Sequence, residues 1–414
     1  MIRRCPKFLL IFILPVFTSA FSQAGWNPIH LPSGKILVEP PAGRFLSDLN
    51  AFPINSTISP DGRYVAFLNN GYGHAMSGFR KSIAILDRVT GQVSDTTEPG
   101  TGLYFNGPAN ISTPFYGISF SSDGRRLYVS IASTKGDPEL GDRTQNGIRI
   151  YKVTDRGLEP AGAIQILPAE IPLPSGVRLN SPAPTPSGIA VRPDPDNRGE
   201  DLIYAALTLC DAAVELSTKT MRVQRVFDLH LNPQHPALPA EYPYATALCP
   251  LGRTLYVSLY NGSAVAAVDL DSGGVELIPL GIQQSGPSSP SSHPSHLAVH
   301  PSGNMIYVAV ENSDQVSMID NAPESAGYRK HVGDIDVRTA EMQERKIFGA
   351  GPNHLTFSPD GRYLFVSCGL LNALAVMEID AKGDAAATPQ LRGYLPTLWY
   401  PHTAEISRDG HTLY

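Results

Sequence analysis

Helical periodicity is almost absent from this 414-residue chain, and so are most of the features that announce a chemistry. Charged residues make up 17% and the formal charge is −6, which excludes a nucleic-acid binder that works through a basic surface. Cysteines number four, and Cys5, Cys210, Cys249 and Cys368 stand at spacings that form neither a disulfide framework nor a zinc motif. The last three are expected to act as small buried hydrophobes, with oxidation of one pair left open outside a reducing compartment. No Gly-x-Ser-x-Gly elbow, His-Glu-x-x-His helix, phosphate-binding loop or Cys-x-x-Cys-His sequence occurs, so the common serine-hydrolase, zincin, nucleotide and haem signatures are missing. The glycines of GYGHAMSG at 71–78 have the wrong spacing for a dinucleotide fold. Only one stretch is long, apolar and uncharged, Phe8 to Phe17, and at ten residues with Pro15 inside it is too short to span a bilayer.

That stretch follows Arg3, Arg4 and Lys7 and precedes the small residues Thr18, Ser19, Ala20, Ser22 and Ala24. This is the layout of a secretory signal peptide over residues 1–24, cleaved after Ala20 or Ala24. Removing it takes away three basic residues and shifts the charge from −6 to −9. A periplasmic or secreted location with no membrane span is therefore expected for residues 25–414.

What the chain does have is proline and glycine, 37 of each, well above their average share of about 12% together, and a repeat. A proline, a short apolar strand, a Pro-Asp-Gly-like turn and a second strand rich in Tyr, Val and Ser recur as PINSTISPDGRYVAFL from Pro53, FYGISFSSDGRRLYVSI from Phe115 and PYATALCPLGRTLYVSL from Pro243. They recur again as PSHLAVHPSGNMIYVAV from Pro294, PNHLTFSPDGRYLFVS from Pro352 and PHTAEISRDGHTLY from Pro401, and a copy from Pro186 carries an enlarged turn. Pro60 and Pro359 preset the first turn dihedral, Asp61 and Asp360 bond local amides, and Gly62 and Gly361 accept the left-handed conformation that closes a hairpin. Third strands follow at Ser82–Asp87, 148–153, 212–216, 264–270, Gln315–Asp320 and 373–380, and turns such as DLDSGGV at 269–275 lead to fourth strands. Four short strands every 50 to 60 residues describe propeller blades. The expectation is an all-β, seven-bladed β-propeller of four-stranded antiparallel blades, the seventh truncated at the C-terminus. A two-sheet sandwich would have no use for the same unit seven times. The segment 35–38 is the candidate strand for closing the ring.

The strings LYVS at 127–130 and 255–258, IYVA at 306–309 and LFVS at 364–367, each after an SPDGR-like turn, resemble the YVTN family of bacterial β-propellers. LPSGKILVEPPAGRFL at 31–46, SPDGRYVAFLNNGYG at 59–73 and GYLPTLWYP at 393–401 resemble exported proteins that join a YncE-like propeller to a C-terminal phosphoesterase of the alkaline-phosphatase superfamily. The resemblance implies a fragment that binds or docks, with hydrolysis of ester bonds left to an absent phosphoesterase domain. None of that domain's metal ligands or nucleophile has a matching position here. The alternative is a propeller enzyme in its own right, of lactonase-like type. Two tryptophans are too few for the tryptophan-docked repeats of quinone-dependent propeller dehydrogenases, and no cofactor is expected.

Alignment on the turn glycines puts Asn55, Gly117, Gly188, Ala245, His296, His354 and Thr403 at one height of the channel. His296 and His354 fall in adjacent blades, where two imidazoles either begin a metal or anion site or serve as hydrogen-bonded channel residues. A metal site would want more ligands than this height supplies, so none is assigned. His402, one residue off, points the other way. The entries to the innermost strands carry Phe52, Phe115, Tyr116, Tyr242, Tyr244, His293, Trp399 and Tyr400, expected to pack between blades or to form a recognition surface on the channel-mouth face for a small molecule or a protein. The candidate ligand-binding residues are His296, His354, Tyr116, Tyr242, Tyr244, Trp399 and Tyr400. The channel height holds no Asp, Glu, Lys or Arg, which speaks against catalysis there, and DPDNRGED at 194–201 reads as an extended hairpin turn in preference to a calcium loop, because Arg198 occupies a ligand position.

Overall fold

A computed structural model describes residues 29–30, 36–37, 52–69, 82–97, 113–132, 146–172, 178–179, 184–230, 237–250, 253–280 and 292–414; the segment read above as a signal peptide, 1–24, and the loop at 70–73 lie outside them.

The repeated turn is a closed unit of hydrogen bonds. Ser59 Oγ donates to Asp61 Oδ1 at 2.5 Å and accepts from the Tyr64 amide at 2.9 Å, while the Arg63 amide donates to the same carboxylate oxygen at 3.0 Å. The set recurs at Ser121 and Asp123, at Ser358 and Asp360, and at Ser407 and Asp409. Gly62, with φ of 73°, supplies the left-handed step that lets each turn close. The blade around 294–336 has His300 in the serine position, and its Nδ1 takes over the partnership with Ser302 Oγ at 2.7 Å.

In six of the repeat copies the strands joined by the turn belong to an antiparallel four-stranded sheet. In the first blade the strands are Pro53–Ile58, Tyr64–Asn69, Ser82–Asp87 and Val93–Thr97, paired in chain order. Five more sheets of the same order span 113–165, 186–228, 243–279, 294–336 and 352–396. The first strands of successive sheets lie side by side, so the blades are set around an axis with these strands innermost, as in a β-propeller. The core consists of the layers between blades: Tyr128, Ile148 and Ile164 of the second blade meet Ile203, Val214 and Leu216 of the third, and the same contact repeats from the third blade to the sixth.

Six complete blades are present among the described residues, where seven units were read from the repeats. The last copy forms a short hairpin in which Glu405 and Tyr414 exchange backbone hydrogen bonds and Ile406 bridges Leu413. It sits between the sixth blade, through Asn353 Nδ2 to the Pro401 carbonyl at 3.2 Å, and the first, through Ser56 Oγ and Thr403 Oγ1 at 2.6 Å and Arg408 Nε to the Ser59 carbonyl at 3.3 Å. The expected closing strand at 35–38 does not join it: Ile36–Leu37 pairs with Ile29–His30, a partner only a few residues away and so reached at little cost in loop-closure entropy.

The buried tyrosine of the LYVS strings ties one blade to the next. Tyr128 Oη donates to Asp201 Oδ2 at 2.7 Å across the interface, and Tyr256 Oη makes the equivalent contact with Asn321. The following serine also has a structural task. The innermost strands carry a register shift near their start, and Ser130 Oγ and Ser258 Oγ accept the amides of Gly117 (2.7 Å) and Ala245 (2.9 Å) there. Replacing Tyr128 with Phe leaves the buried Asp201 carboxylate short of a donor. The expected result is a loss of about 1–3 kcal/mol, read as a lower denaturation midpoint at unchanged m value.

Candidate functional site

The innermost strands enclose a cavity of about 170 Å³ on the axis, lined by Asn55, Ser56, Tyr116, Thr246, His296, His354, Thr356 and Glu405 among others, with no Lys or Arg among the described residues of its wall. At the height of His296 the channel is asymmetric for a steric reason. A Cβ at Gly117 would meet the Ser187 carbonyl at 2.3 Å, and one at Gly188 the Tyr244 carbonyl at 2.6 Å, so the second and third blades approach too closely for side chains. The polar groups therefore gather on the fifth and sixth blades, the final hairpin and the first blade.

The His296 and His354 rings stack with centroids 4.0 Å apart and planes 29° from parallel, as their alignment at one height requires. The Leu355 amide donates to His296 Nδ1 at 3.2 Å, which places the His296 proton on Nε2. Burial drives His296 down to about 3, and burial, with His296 and His402 nearby, holds His354 well below the ordinary histidine range. Both rings are neutral at physiological pH. His354 Nε2 lies 3.4 Å from Thr403 Oγ1, which is 2.6 Å from Ser56 Oγ, while His354 Nδ1 is buried without a partner.

Glu405 completes this wall. It is half-buried, and removal from bulk water raises its pKa to about 8, with Ser56 and Arg408 pulling it back. Glu405 lines the same cavity as the two neutral imidazoles, and a carboxyl group raised toward neutrality in a cavity is a candidate functional group. The comparison of a single channel height misses it because Glu405 lies two residues beyond Thr403, away from the one aligned position.

A second cluster surrounds the mouth, where the innermost strands begin. Tyr116 and Tyr244 lie 4.5 Å apart at their centroids, Tyr244 contacts Tyr260 at 5.7 Å, and Tyr260 stacks on His293 at 4.2 Å. Glu311 sits between Tyr260 Oη at 3.5 Å and Tyr400 Oη at 3.4 Å. Burial pushes its carboxyl above the ordinary range, with Tyr400 and Tyr260 acting against it. Trp399 joins through Phe52, at 6.0 Å, which lies 6.1 Å from Tyr400 and meets the edge of His402 at 5.5 Å, with Tyr400 and His402 themselves 5.4 Å apart. Tyr242 stands apart: its backbone is left-handed at φ 52° and its amide donates to Asp211 Oδ1 at 3.1 Å, with no ring contact among the described residues. Of the seven candidates, the structure thus brings together His296 with His354, and Tyr116 with Tyr244 and Tyr400, with Trp399 reaching Tyr400 through Phe52. Tyr260 and Glu311 were missed because they stand on turns between second and third strands, outside the repeat unit used for alignment.

Elsewhere the chemistry is bland. Cys210, Cys249 and Cys368 are buried and form no disulfide with one another. Asp194 closes its own turn, accepting from the Asp196 amide and Asn197 Nδ2, both at 2.9 Å. A larger cavity of about 420 Å³ at the edge of the second blade has Arg149 as its sole ionisable lining group among the described residues.

A family model described as a lactonase, seven-bladed β-propeller, matches residues 241–414, the stretch that holds His296, Glu311, His354, Tyr400 and Glu405. A 6-phosphogluconolactonase of Pectobacterium atrosepticum is 25% identical over 169 residues, which are 39% of this chain and 46% of the relative; the match thus spans about half the length of that curated protein. Among solved structures, the Pseudomonas aeruginosa periplasmic gluconolactonase is similar with a TM-score of 0.55 and 18% identity over 83% of this chain and 85% of that one. The Kuenenia stuttgartiensis hydrazine synthase gives 0.55 and 17% over 90% and 97%, and the RRP9 WD40 repeats 0.57 and 11% over 91% of each. At these identities the structures show a shared β-propeller fold. The lactonase matches favour the enzymatic alternative over a docking module attached to a phosphoesterase.

Proposed function

We propose that the channel hydrolyses a small lactone. The observation that carries this reading is Glu405, a carboxyl group with a pKa of about 8 in a cavity it shares with two neutral histidines, within the stretch matched by the lactonase model. Ester hydrolysis needs a base for the attacking water and a donor for the oxyanion. The Glu405 carboxylate takes a proton from water as its oxygen adds to the lactone carbonyl. The His296 Nε2–H donates to the oxygen that becomes negative. Collapse of the tetrahedral adduct breaks the ring C–O bond, and the proton held by Glu405 passes to the leaving alkoxide, so the carboxylate is regenerated.

A cavity of about 170 Å³ is smaller than the roughly 300–1,000 Å³ of sites for drug-sized ligands and suits a single ring. Among the described residues its wall holds no Lys or Arg to pair with a phosphate dianion, so the reading favours an unphosphorylated sugar lactone. The test is pH-stat hydrolysis of glucono-1,5-lactone and its 6-phosphate, corrected for the spontaneous rate. Faster turnover of the unphosphorylated lactone is expected. No acceleration of either would overturn the reading.

Two further parts belong to the same proposal. The hairpin at 404–414 opens a seventh blade, supported by its seat between the sixth blade and the first and by the seven-bladed family model. Residues 1–24 direct export, supported by their charge and hydropathy pattern; a periplasmic protein stands among the similar structures, and no helix among the described residues is long and apolar enough to cross a membrane.

A further inference from the structure

Glu311 is the one group at the channel mouth that blade packing does not explain. Tyr116, Tyr244, Tyr260 and Tyr400 all have apolar ring faces to bury. A carboxylate removed from water is costly unless a cation or several donors compensate it. Among the described residues, Glu311 has no Lys or Arg partner; its contacts are the two phenol groups of Tyr260 and Tyr400, at 3.5 Å and 3.4 Å. The neighbouring His293, stacked on Tyr260 with Nδ1 held by Asn312 Nδ2 at 2.7 Å, is held toward its neutral form by burial. The four tyrosines come from the second and fourth blades and from the segment after the sixth, so they approach Glu311 from different sectors of the ring. Glu311, Tyr244, Tyr260 and Tyr400 keep partial exposure, and Tyr116, 4% exposed, has an unpartnered buried hydroxyl.

Several aromatic rings around one carboxylate that has no cationic partner among the described residues make a receptor for a positive charge carried on an apolar body, because ring faces attract the cation while the carboxylate neutralises it. We propose that the mouth of the channel binds an organic cation of the alkylammonium class, with Glu311 as counter-ion and Tyr116, Tyr244, Tyr260 and Tyr400 as the cage. This site shares Tyr116 with the channel cavity but includes neither Glu405 nor the two histidines, and it does not depend on lactone hydrolysis.

The experiment is isothermal titration of the full chain with choline and with 3,3-dimethyl-1-butanol, its uncharged carbon isostere, at matched ionic strength. Choline is expected to bind saturably with a Kd on the order of 0.1–1 mM, at least tenfold tighter than the alcohol. Glu311→Gln, which keeps the shape and both phenol contacts, is expected to weaken choline at least tenfold, and Tyr260→Leu to weaken it severalfold. Equal binding of choline and the alcohol to the wild-type chain overturns the inference, as does undiminished choline binding by Glu311→Gln. If the loss follows Glu405→Gln instead, the cation sits in the channel and the inference fails while the lactonase reading stands.

Discussion

Glu405→Gln is expected to lower kcat/KM for lactone hydrolysis by about 10²–10⁴-fold, the usual contribution of a positioned general base, while making the protein more stable. Both effects come from the same environment. Glu405 is lifted to about 8 because it faces a confined channel, so the base form is scarce at neutral pH and kcat/KM rises with pH until it levels off above 8. The linkage has the opposite sign. Because the folded-state pKa of this acid exceeds its unfolded value, the folded protein holds a proton that the unfolded chain releases between about pH 4.5 and pH 8. Stability from this group is therefore greatest below that window and is lost as pH rises through it. The ceiling is about 1.4 kcal/mol for each pH unit, reduced by the solvent that reaches the channel. Glutamine has no proton to lose, so the gain of the variant over wild type should grow from pH 5 to pH 8 and then stay level. Denaturation midpoints at three pH values, set beside kcat/KM over the same range, check both halves. Wild-type activity in Glu405→Gln, or a stability difference independent of pH, would remove Glu405 from the mechanism.

Much of the fold was legible in the sequence because the recurring turn is local chemistry. Ser-x-Asp-Gly-Arg closes through bonds among residues no more than five apart, so each copy announces its hairpin without reference to the rest of the chain. The equal height of His296 and His354 was legible for the same reason: a constant count from the turn glycine carries the strand period with it. The closing strand was not, since residues 35–38 offered a β pattern and the structure pairs Ile36–Leu37 with Ile29–His30. Glu405 and Glu311 escaped for different physical reasons. The first lies two residues from the aligned position in the same channel, and a single aligned position samples only one height. The second stands on a connecting turn, whose position over the axis is set by how six sheets pack around it. Tyr242 shows the converse. Its aromatic character suggested recognition, yet what its position demands is a left-handed backbone and an amide aimed at Asp211.

That amide belongs to a device repeated between blades, and Asp314→Ala should expose its strength. The turn between second and third strands ends in a left-handed residue, Asp211, Ser263, Asp314 or Asn372, whose side chain captures backbone amides entering the next innermost strand. Asp211 takes the amides of Ala240, Glu241 and Tyr242, Ser263 that of Ser292, and Asn372 that of Tyr400. Asp314 accepts from Gly349 at 2.7 Å, Ala350 at 2.7 Å and Gly351 at 3.0 Å, and both Asp314 and Ala350 are almost fully buried. Alanine removes both acceptor oxygens and with them all three hydrogen bonds, strands buried donors and places a residue poorly suited to φ of 53° in the left-handed region. The expected loss is about 3–5 kcal/mol, read from the guanidinium midpoint. Asparagine at the same position would keep one acceptor oxygen and a side chain tolerant of that conformation, so Asp314→Asn should lose roughly half as much. The ordering matters more than the sizes. If both variants lose the same amount, the negative charge is what counts; if neither loses more than about 1 kcal/mol, water replaces the carboxylate and the blades are held by their apolar layers alone.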